Sequence, residues 1–442
     1  MSFLRHSLST FATQIVIMGL GIASGIITAR VLGPHLKGQA ALLTMITQLL
    51  YMVGNMGLGS AFSFFIAKEQ FTGRQIHSCA LMSALFFGSI SMVVFYCTMP
   101  FHAVFWEGLS SNLIFYSALL SVLYIYSTYL TRILVGYDRI HSMNIGTIAR
   151  SFINVLTLIV LLLIWNHGLD GVVISLWLAA VAQIAVFLFA LRADIRLSRF
   201  WEGNLIRTSL SYGIKSHMLL LINFLNYRID MLLVKHFTDD AAVGFYSLAV
   251  GMAELMWLVP NATVAPLFAS VAKSEAADRS LLTLRTIRWS FVFLVVLALG
   301  AIFLGRLFID LLYGSDFLPS YQPFLGLLPG ICLFPVFKLL NIDLAARGFP
   351  GFGTIASAVS LVINVIFNIL LIPQLGPLGA ALASSLSYGC MAFISIIFFL
   401  KKTSYRFSDL VTIDAEEWVF IYEKGSASLL TIRNYIKLFW KH

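Results

Sequence analysis

The sequence predicts an all-α integral membrane protein with twelve transmembrane helices. They form two six-helix bundles related by a pseudo-twofold axis along the membrane normal. Three observations carry this expectation. First, 59% of the 442 residues are hydrophobic and only 11% are charged. A soluble domain carries about 25% charged residues, so this chain has too little polar surface to cover a soluble fold of its length. Second, apolar stretches of about 20 residues, each long enough to cross a bilayer as a helix, recur from end to end. A membrane barrel would show short alternating segments instead. Third, a set of landmarks recurs at separations of 205–210 residues.

The expected spans are 11–31, 39–66, 79–99, 112–134, 146–165, 170–191, 209–236, 242–268, 289–312, 323–346, 352–373 and 378–400. Turn and helix-stop signals separate them, among them Gly33-Pro34-His35, Asn166-His167-Gly168 and Gly376-Pro377-Leu378. Alternate connections carry Lys68 and Arg74; Arg139; Arg192, Arg196, Arg199 and Arg207; Lys273, Arg279, Arg285 and Arg288; then Arg347. The intervening connections hold little beyond Lys37 and Lys235. The positive-inside rule therefore places both termini in the cytoplasm, and an even number of spans agrees with that. Topology accounts for most of the net charge of +9, so no nucleic-acid partner is expected. Residues 1–10 are short and polar, and no small-residue cleavage site follows, so no cleavable signal peptide is expected. Cys79, Cys97, Cys332 and Cys390 lie in or beside apolar segments without paired spacing. That pattern points to neither a disulfide framework nor a metal site.

The repeat pairs Gly168-Leu169-Asp170-Gly171 with Gly376-Pro377-Leu378-Gly379, and Ile153-Asn154-Val155 with Ile363-Asn364-Val365. It also pairs Ala67-Lys68 with Ala272-Lys273, and Gly38 with Gly244. A six-span unit leaves both copies in the same orientation, as in transporters that alternate access between two bundles. The expected organisation is a lobe at 1–200, a lobe at 201–400 and a tail at 401–442, with Arg192 to Arg207 as the linker between lobes. The tail mixes charges with Trp418, Phe420, Tyr435, Phe439 and Trp440. Its composition suits a cytoplasmic amphipathic helix lying on the headgroups.

An ionisable group at mid-membrane costs roughly 2.5–3.5 kcal/mol on insertion scales and needs a reason to be there. Several spans carry polar stripes at helical spacing. Span four has Ser117, Ser121, Tyr124, Thr128 and Arg132; span seven has Lys215, Asn223, Asn226 and Asp230. Span eleven has Ser357, Ser360, Asn364 and Asn368; span two has Gln48 and Asn55. Span ten has Lys338 and Asn341 with Asp343 and Arg347 beyond, and Glu254 lies mid-way along span eight. Polar faces in both halves point to a shared aqueous cavity. A single Ser121 or Ser357 is better explained as interhelical hydrogen-bonding glue. Arg30, Arg132, Arg150 and Arg347, near span ends, are equally explained as snorkelling side chains. Arg228, Asp230 and Glu254 lie deeper, where function or buried pairing is expected. Arg228 and Asp230 are two apart and face different ways; Arg228 can instead meet Glu254 across spans seven and eight. There is no GxxxxGK[ST] loop, no HExxH, no GxSxG and no long extramembrane loop. An ATP-driven pump or a membrane hydrolase is not expected, and the chain reads as a non-enzyme.

Three motifs carry a family resemblance: Ala29-Arg30-Val31-Leu32-Gly33-Pro34 followed by Gly38; Tyr227-Arg228-Ile229-Asp230 followed by Val243-Gly244-Phe245-Tyr246-Ser247-Leu248; and Gly376-Pro377-Leu378-Gly379-Ala380-Ala381. In order and spacing they resemble Wzx-type polysaccharide-repeat (O-antigen or capsule) flippases of the multidrug/oligosaccharidyl-lipid/polysaccharide exporter superfamily. The resemblance covers about residues 5–400, and the tail departs from it. It implies two lobes in a V around a central cavity, in a bacterial inner (plasma) membrane. The implied substrate is an isoprenoid-diphosphate-linked oligosaccharide, moved by alternating access, with membrane lipids and other polysaccharide-assembly proteins as partners. A cationic cavity for the diphosphate would draw on Arg30, Arg132, Arg150, Lys215, Arg228, Lys338 and Arg347. Related lipid II flippases hold a sodium ion among spans seven, eleven and twelve. The matching places here offer Asp230, Asn364 and Asn368, with Glu254 as a further ion-coupling candidate. A proton route stays open, as does a purely structural hydrogen-bond cluster. A drug or metabolite exporter of the same superfamily, and a membrane glycan polymerase or glycosyltransferase, are the alternatives. The excess of basic over acidic intramembrane groups disfavours the first. The shortness of the outward connections near 100–111 and 313–322 disfavours the second.

The topology has a direct test. Reporter fusions at residue 402 should behave as cytoplasmic and fusions at residue 107 as periplasmic; the reverse at either site would overturn the orientation.

Overall fold

A computed structural model describes residues 2–194, 203–258, 260–261, 263–264, 267, 276–349 and 351–412, without the side chains of 2–8, 215–216 and 276–279. The side chain of Lys215, the linker residues Arg196 and Arg199, the landmark Ala272-Lys273 and the tail aromatics from Trp418 onward lie outside the described residues.

Among the described residues, helices run in this order: α1 Ser2–Asn55, α2 Leu58–Ala67, α3 Gly73–His102, α4 Ser111–Gly136, α5 Ile140–Leu158, α6 Gly168–Leu191, α7 Gly203–Phe237, α8 Asp240–Leu255, α9 Ala276–Tyr313, α10 Tyr321–Ala346, α11 Gly351–Leu375 and α12 Pro377–Lys402. A short α13, Phe407–Val411, follows. Among the described residues there is no strand, and ten helices are long and apolar enough to cross a membrane. The chain is an all-helical, multi-pass membrane protein. Large apolar side chains such as Val296, Phe303 and Phe393 remain exposed on helix flanks. In water they would be a liability; against lipid they are the expected outer surface.

The first two expected spans share α1, which breaks at Gly33 (φ 69°, ψ 176°) ahead of Pro34. A positive φ suits glycine, and proline suits the first turn of the helix that resumes. A second break, absent from the sequence expectation, falls at Met56 (φ 50°) and Gly57 (φ 71°) between α1 and α2. It lets the backbone of Gly57 meet that of Gly213 on α7: a Cβ on Gly57 would lie 2.5 Å from the Gly213 carbonyl oxygen. Phe64 stacks on Tyr212 beside this contact, with ring centroids 5.1 Å apart. The connections bearing Gly73, Tyr137, Arg139 and Asp194 gather together, with an Arg139–Asp194 ion pair of 2.7 Å. This is called the basic face below.

At the opposite face α1 and α8 cross with their backbones in contact. A Cβ on Gly38 would lie 1.7 Å from the Asp240 carbonyl oxygen, and one on Gly244 would lie 2.1 Å from that of Pro34. These two glycines are the repeat landmarks 206 residues apart (244 − 38). Asp240, buried in the first turn of α8, accepts from Lys235 at 2.6 Å and from Gln39 of α1 at 2.9 Å, with His35 Nε2 at 3.5 Å. An acid in that turn also suits the positive end of the helix dipole.

The largest core cluster draws above all on α1, α4, α8, α10 and α12, with smaller shares from α7 and other helices, and includes Leu42, Ile46, Val243, Tyr246, Ile331 and Met391. Proline shapes part of it. Pro335 has no N–H for the carbonyl of Ile331 one turn earlier, and the Trp257 indole N–H donates to that oxygen at 3.1 Å. Trp257 thereby anchors the end of α8 to α10 beside Tyr227, Phe334 and Tyr388. The start of the tail is tethered by Arg288, which donates to the carbonyl oxygens of Asp409 (2.9 Å) and Thr412.

The glycine crossing makes a prediction. Gly244→Ala forces a methyl group onto the Pro34 carbonyl and should destabilise the protein by about 1–3 kcal/mol, as overpacking does. The thermal unfolding midpoint in detergent should fall; an unchanged midpoint would show that α1 and α8 can part at no cost.

Candidate transport cavity and buried carboxylate cluster

A cavity of about 320 Å³ lies between α1, α5 and α6 on one side and α7 and α8 on the other. Its polar lining is Ser24, Thr28, Lys37, Thr44 and Gln48 of α1, Asn154 of α5, Ser175 of α6, Arg228 of α7, and Ser247 and Glu254 of α8. Arg228 and Glu254 form a two-pronged ion pair, Nη1–Oε1 2.9 Å and Nη2–Oε2 3.2 Å. Arg228 thus meets the acid across α7 and α8, not Asp230 on its own helix.

Lys37 is the cavity cation that sequence reasoning misses, because it reads as a loop charge; Ser24, Thr28, Thr44, Ser175 and Ser247 are missed as well. Gly33-Pro34 ends one helix and opens the next, so Lys37 stands in a helical first turn. It heads a cavity-lining series with Ala41, Thr44 and Gln48 at steps of four, three and four. That spacing was the available signal. Its Nζ donates to the neutral Thr28 hydroxyl.

The other expected cavity cations are elsewhere. Arg30 is exposed and donates to the carbonyl oxygens of Leu311 and Leu312 (2.8 Å to Leu312), satisfying free carbonyls at the end of α9. Arg132 is exposed, its stem against Gly59. Arg150 places its guanidinium 4.2 Å from the centroid of the Tyr124 ring, a cation–π contact. Lys338 donates to the Asn261 side-chain oxygen. Arg347 is bound to the buried Asp343 and to Ser280. Of the six expected cations whose side chains are described, Arg228 lines this cavity.

Behind the cavity sits a second, drier arrangement. Asp230 is 2% exposed. Its carboxylate accepts from the Tyr246 hydroxyl, from Ser384 Oγ at 2.9 Å and from the Met231 N–H at 2.8 Å. One turn earlier, Asn226 accepts from Ser387 at 2.7 Å and donates to Ser360 at 3.2 Å. One and two turns on from Ser360, Asn364 and Asn368 are fully buried. Asn368 Nδ2 donates to Asn364 O at 2.8 Å and to Asn364 Oδ1 at 2.9 Å. Asn364 Nδ2 and Asn368 Oδ1 are buried with no hydrogen-bond partner among the described residues. The acceptors here are a carboxylate, amide oxygens and hydroxyls, all hard oxygen ligands of the kind that suit s-block cations. Among the described residues there is no group of three His, Cys, Asp or Glu side chains able to hold a metal ion.

The first half contains a counterpart. Asn154 Nδ2 donates to Ser24 Oγ at 3.2 Å, and Ser175 Oγ donates to Asn154 Oδ1 at 3.3 Å. Ser24, Asn154 and Ser175 precede Asp230, Asn364 and Ser384 by 206, 210 and 209 residues. The first trio opens on the cavity, whereas Asp230, Asn364 and Ser384 are closed off from it.

This fold recurs in solved transporters. The chain is similar to an inward-facing multidrug resistance MATE family transporter of the MOP superfamily, at 15% identity over 87% of this chain and 96% of that one, with a TM-score of 0.72. It is equally similar to the lipid II flippase MurJ in an inward closed conformation, at 15% identity over 92% and 89% of the two chains, with a TM-score of 0.71. By sequence it is 23% identical over 217 residues to the probable low-salt glycan biosynthesis flippase Agl15 of Haloferax volcanii; the match spans 46% of each chain, so about half of that relative's length. Residues 3–272 match the family described as polysaccharide biosynthesis protein. With more than half its length matched, the chain belongs to the polysaccharide biosynthesis protein family.

Proposed function

We propose that this protein is a flippase, not an enzyme, that moves an isoprenoid-diphosphate-linked oligosaccharide across a bacterial inner membrane by alternating access. The proposal includes twelve spans in two six-helix lobes, 1–200 and 201–400, with both termini cytoplasmic. The observation that carries it is the cavity itself. Lys37 and Arg228 stand among Ser24, Gln48, Asn154 and Ser175, between helices of the two halves. The cations suit phosphate oxygens. Hydroxyl and amide groups suit sugar hydroxyls, and the isoprenoid can stay in lipid. Two relatives whose names mark them as flippases, one for a glycan pathway and one for lipid II, support the same reading. A cavity with two cations and one acid favours an anionic cargo over the cationic drugs of an exporter.

Both ends of the passage are bridged in this conformation. Gly57–Gly213 and Phe64–Tyr212 join the halves at the basic face; Gly38–Gly244 and Gln39–Asp240 join them at the other. Transport then requires the two sets to part in turn. In this scheme Arg132, Arg150, Lys215 and Lys338 draw the diphosphate in, while Arg30 and Arg347 hold helices in place. Membrane lipids flank the cargo, and other polysaccharide-assembly proteins hand it on.

Charge–phosphate hydrogen bonds are worth about 1.5–3 kcal/mol. Lys37→Gln and Arg228→Gln should therefore each slow transport of lipid-linked oligosaccharide in proteoliposomes by roughly tenfold or more. Wild-type rates in both would remove the cavity from the mechanism.

We further propose that Asp230, Asn364 and Asn368 form the coupling site for a sodium ion. The unpartnered Asn368 oxygen and the absence of a basic partner on Asp230 among the described hydrogen bonds support it. The bound cation would supply the charge balance that a buried carboxylate needs. Asp230→Asn should abolish the sodium dependence of transport, and Asn364→Ala should weaken it. Should Asp230→Asn instead remove dependence on a proton gradient with sodium irrelevant, the coupling ion is a proton. Unchanged ion dependence in a folded mutant would leave Asp230 a packing element.

A further inference from the structure

The cavity already contains an anion. Glu254 meets Arg228 through both oxygens, in the paired geometry that two phosphate oxygens adopt on a guanidinium. The pair is not sealed away: the Arg228 and Glu254 side chains keep 24% and 30% of their surface exposed. Lys37, by contrast, is bound to a neutral hydroxyl. Lys37, Arg228 and Glu254 together give the cavity one net positive charge. A diphosphate diester carries two negative charges. Adding it to an intact pair would leave one uncompensated negative charge in a low-dielectric site, which is costly.

The groups around Glu254 offer no other compensation. α1 contributes Lys37, already counted. On its inner side Glu254 borders a narrow void lined by Tyr227 and Asp230 of α7, Tyr246 of α8 and Tyr388 of α12, while α10 supplies only Leu327 and Ile331 there. None of these is a second cation.

We propose that Glu254 is a displaceable stand-in for the cargo's anionic group. A diphosphate diester takes over Arg228, and the released carboxylate takes one proton from solvent to become a neutral carboxylic acid. The charges then sum to zero: two cations, a dianion and a neutral acid. The inference rests on the anion-transport reading above and adds that cargo binding is itself a protonation event, carried by Glu254 and separate from any ion at Asp230.

The test uses the full-length protein in detergent and two probes: farnesyl-diphospho-N-acetylglucosamine and uridine-diphospho-N-acetylglucosamine. Both are diphosphate diesters whose charge is constant between about pH 6 and 8, so any pH dependence belongs to the protein. Titration calorimetry in two buffers of different ionisation heat counts the protons. Wild type should take up about one proton per probe bound, and affinity should fall up to about tenfold per pH unit as pH rises. Between pH 6 and 7, Glu254→Gln should bind with no proton uptake and no pH slope, and at pH 7 it should bind more tightly than wild type. Arg228→Gln should lose affinity at every pH. Uptake with the lipid probe alone supports the exchange and assigns the ligand to the membrane; uptake with both supports it and assigns recognition to the diphosphate. Wild-type binding without proton uptake overturns the exchange, and this needs no variant to fold. A pH slope that persists in Glu254→Gln, or affinity in Glu254→Gln as poor as in Arg228→Gln, also overturns it, the latter making Glu254 a positioning residue for Arg228. If wild type binds neither probe at any pH, the anion-cavity reading itself fails and the exchange falls with it.

Discussion

The backbone crossing of α1 and α8 at Gly38 and Gly244 is the contact on which the rest depends. Helices in lipid gain little from hydrophobic burial against each other, so close approach and interhelical hydrogen bonds must hold them. Here two glycines let main chains touch, and Asp240 ties both helices together through Gln39 and Lys235. The crossing also orders the chemistry. It sets Lys37, one residue before Gly38, in the lining of the same cavity into which α7 and α8 project Arg228 and Glu254.

Charge balance is the second constraint, and each deep acid meets it differently. Glu254 uses a cation that is itself exposed to the cavity. Asp343 uses Arg347 and a hydroxyl from Thr283 at 3.1 Å. Asp240 uses Lys235 and the first turn of a helix. Asp230 has only neutral donors, two hydroxyls and a backbone N–H. Neutral donors orient a carboxylate without cancelling its charge, which sets Asp230 apart from the other three and is why the proposed coupling site is placed there.

Much of this was legible beforehand. Apolar length marked the helices because lipid leaves the backbone no alternative. The Gly38 and Gly244 landmarks were visible as a repeat, although their contact was not, since a repeat says which residues correspond and not which touch. Asp230 and the asparagines were found because polar groups deep in apolar spans stand out. The partner of Arg30 was not legible, because one chain position carries no sign of which helix end lies beside it; here that is α9, 282 residues away. Lys37 was hidden for another reason: a charge beside a Gly-Pro turn looks like loop until the turn is seen to be a break inside a continuous α1. The Gly57 break had no sequence signal beyond a glycine, because its cause is the remote Gly213.

The two polar trios show how a repeat becomes a machine with unequal halves. Ser24 and Asn154 keep hydroxyl and amide groups at a half-buried cavity wall, with Ser175 buried against them, where partners can be traded with a proposed sugar at smaller cost than in a dry site. At the corresponding places Asp230, Asn364 and Ser384 are dry, and one hydroxyl has become a carboxylate. In a dry site the same hydrogen-bonding groups are electrostatically stronger, and an unsatisfied one is costlier. A serine there would be only a helix contact; an acid makes the site respond to cations. One substitution between repeats, Ser24 against Asp230, with the shift from open to buried, is what the proposed function uses to divide the labour between a half that handles cargo hydroxyls and a half that answers to an ion.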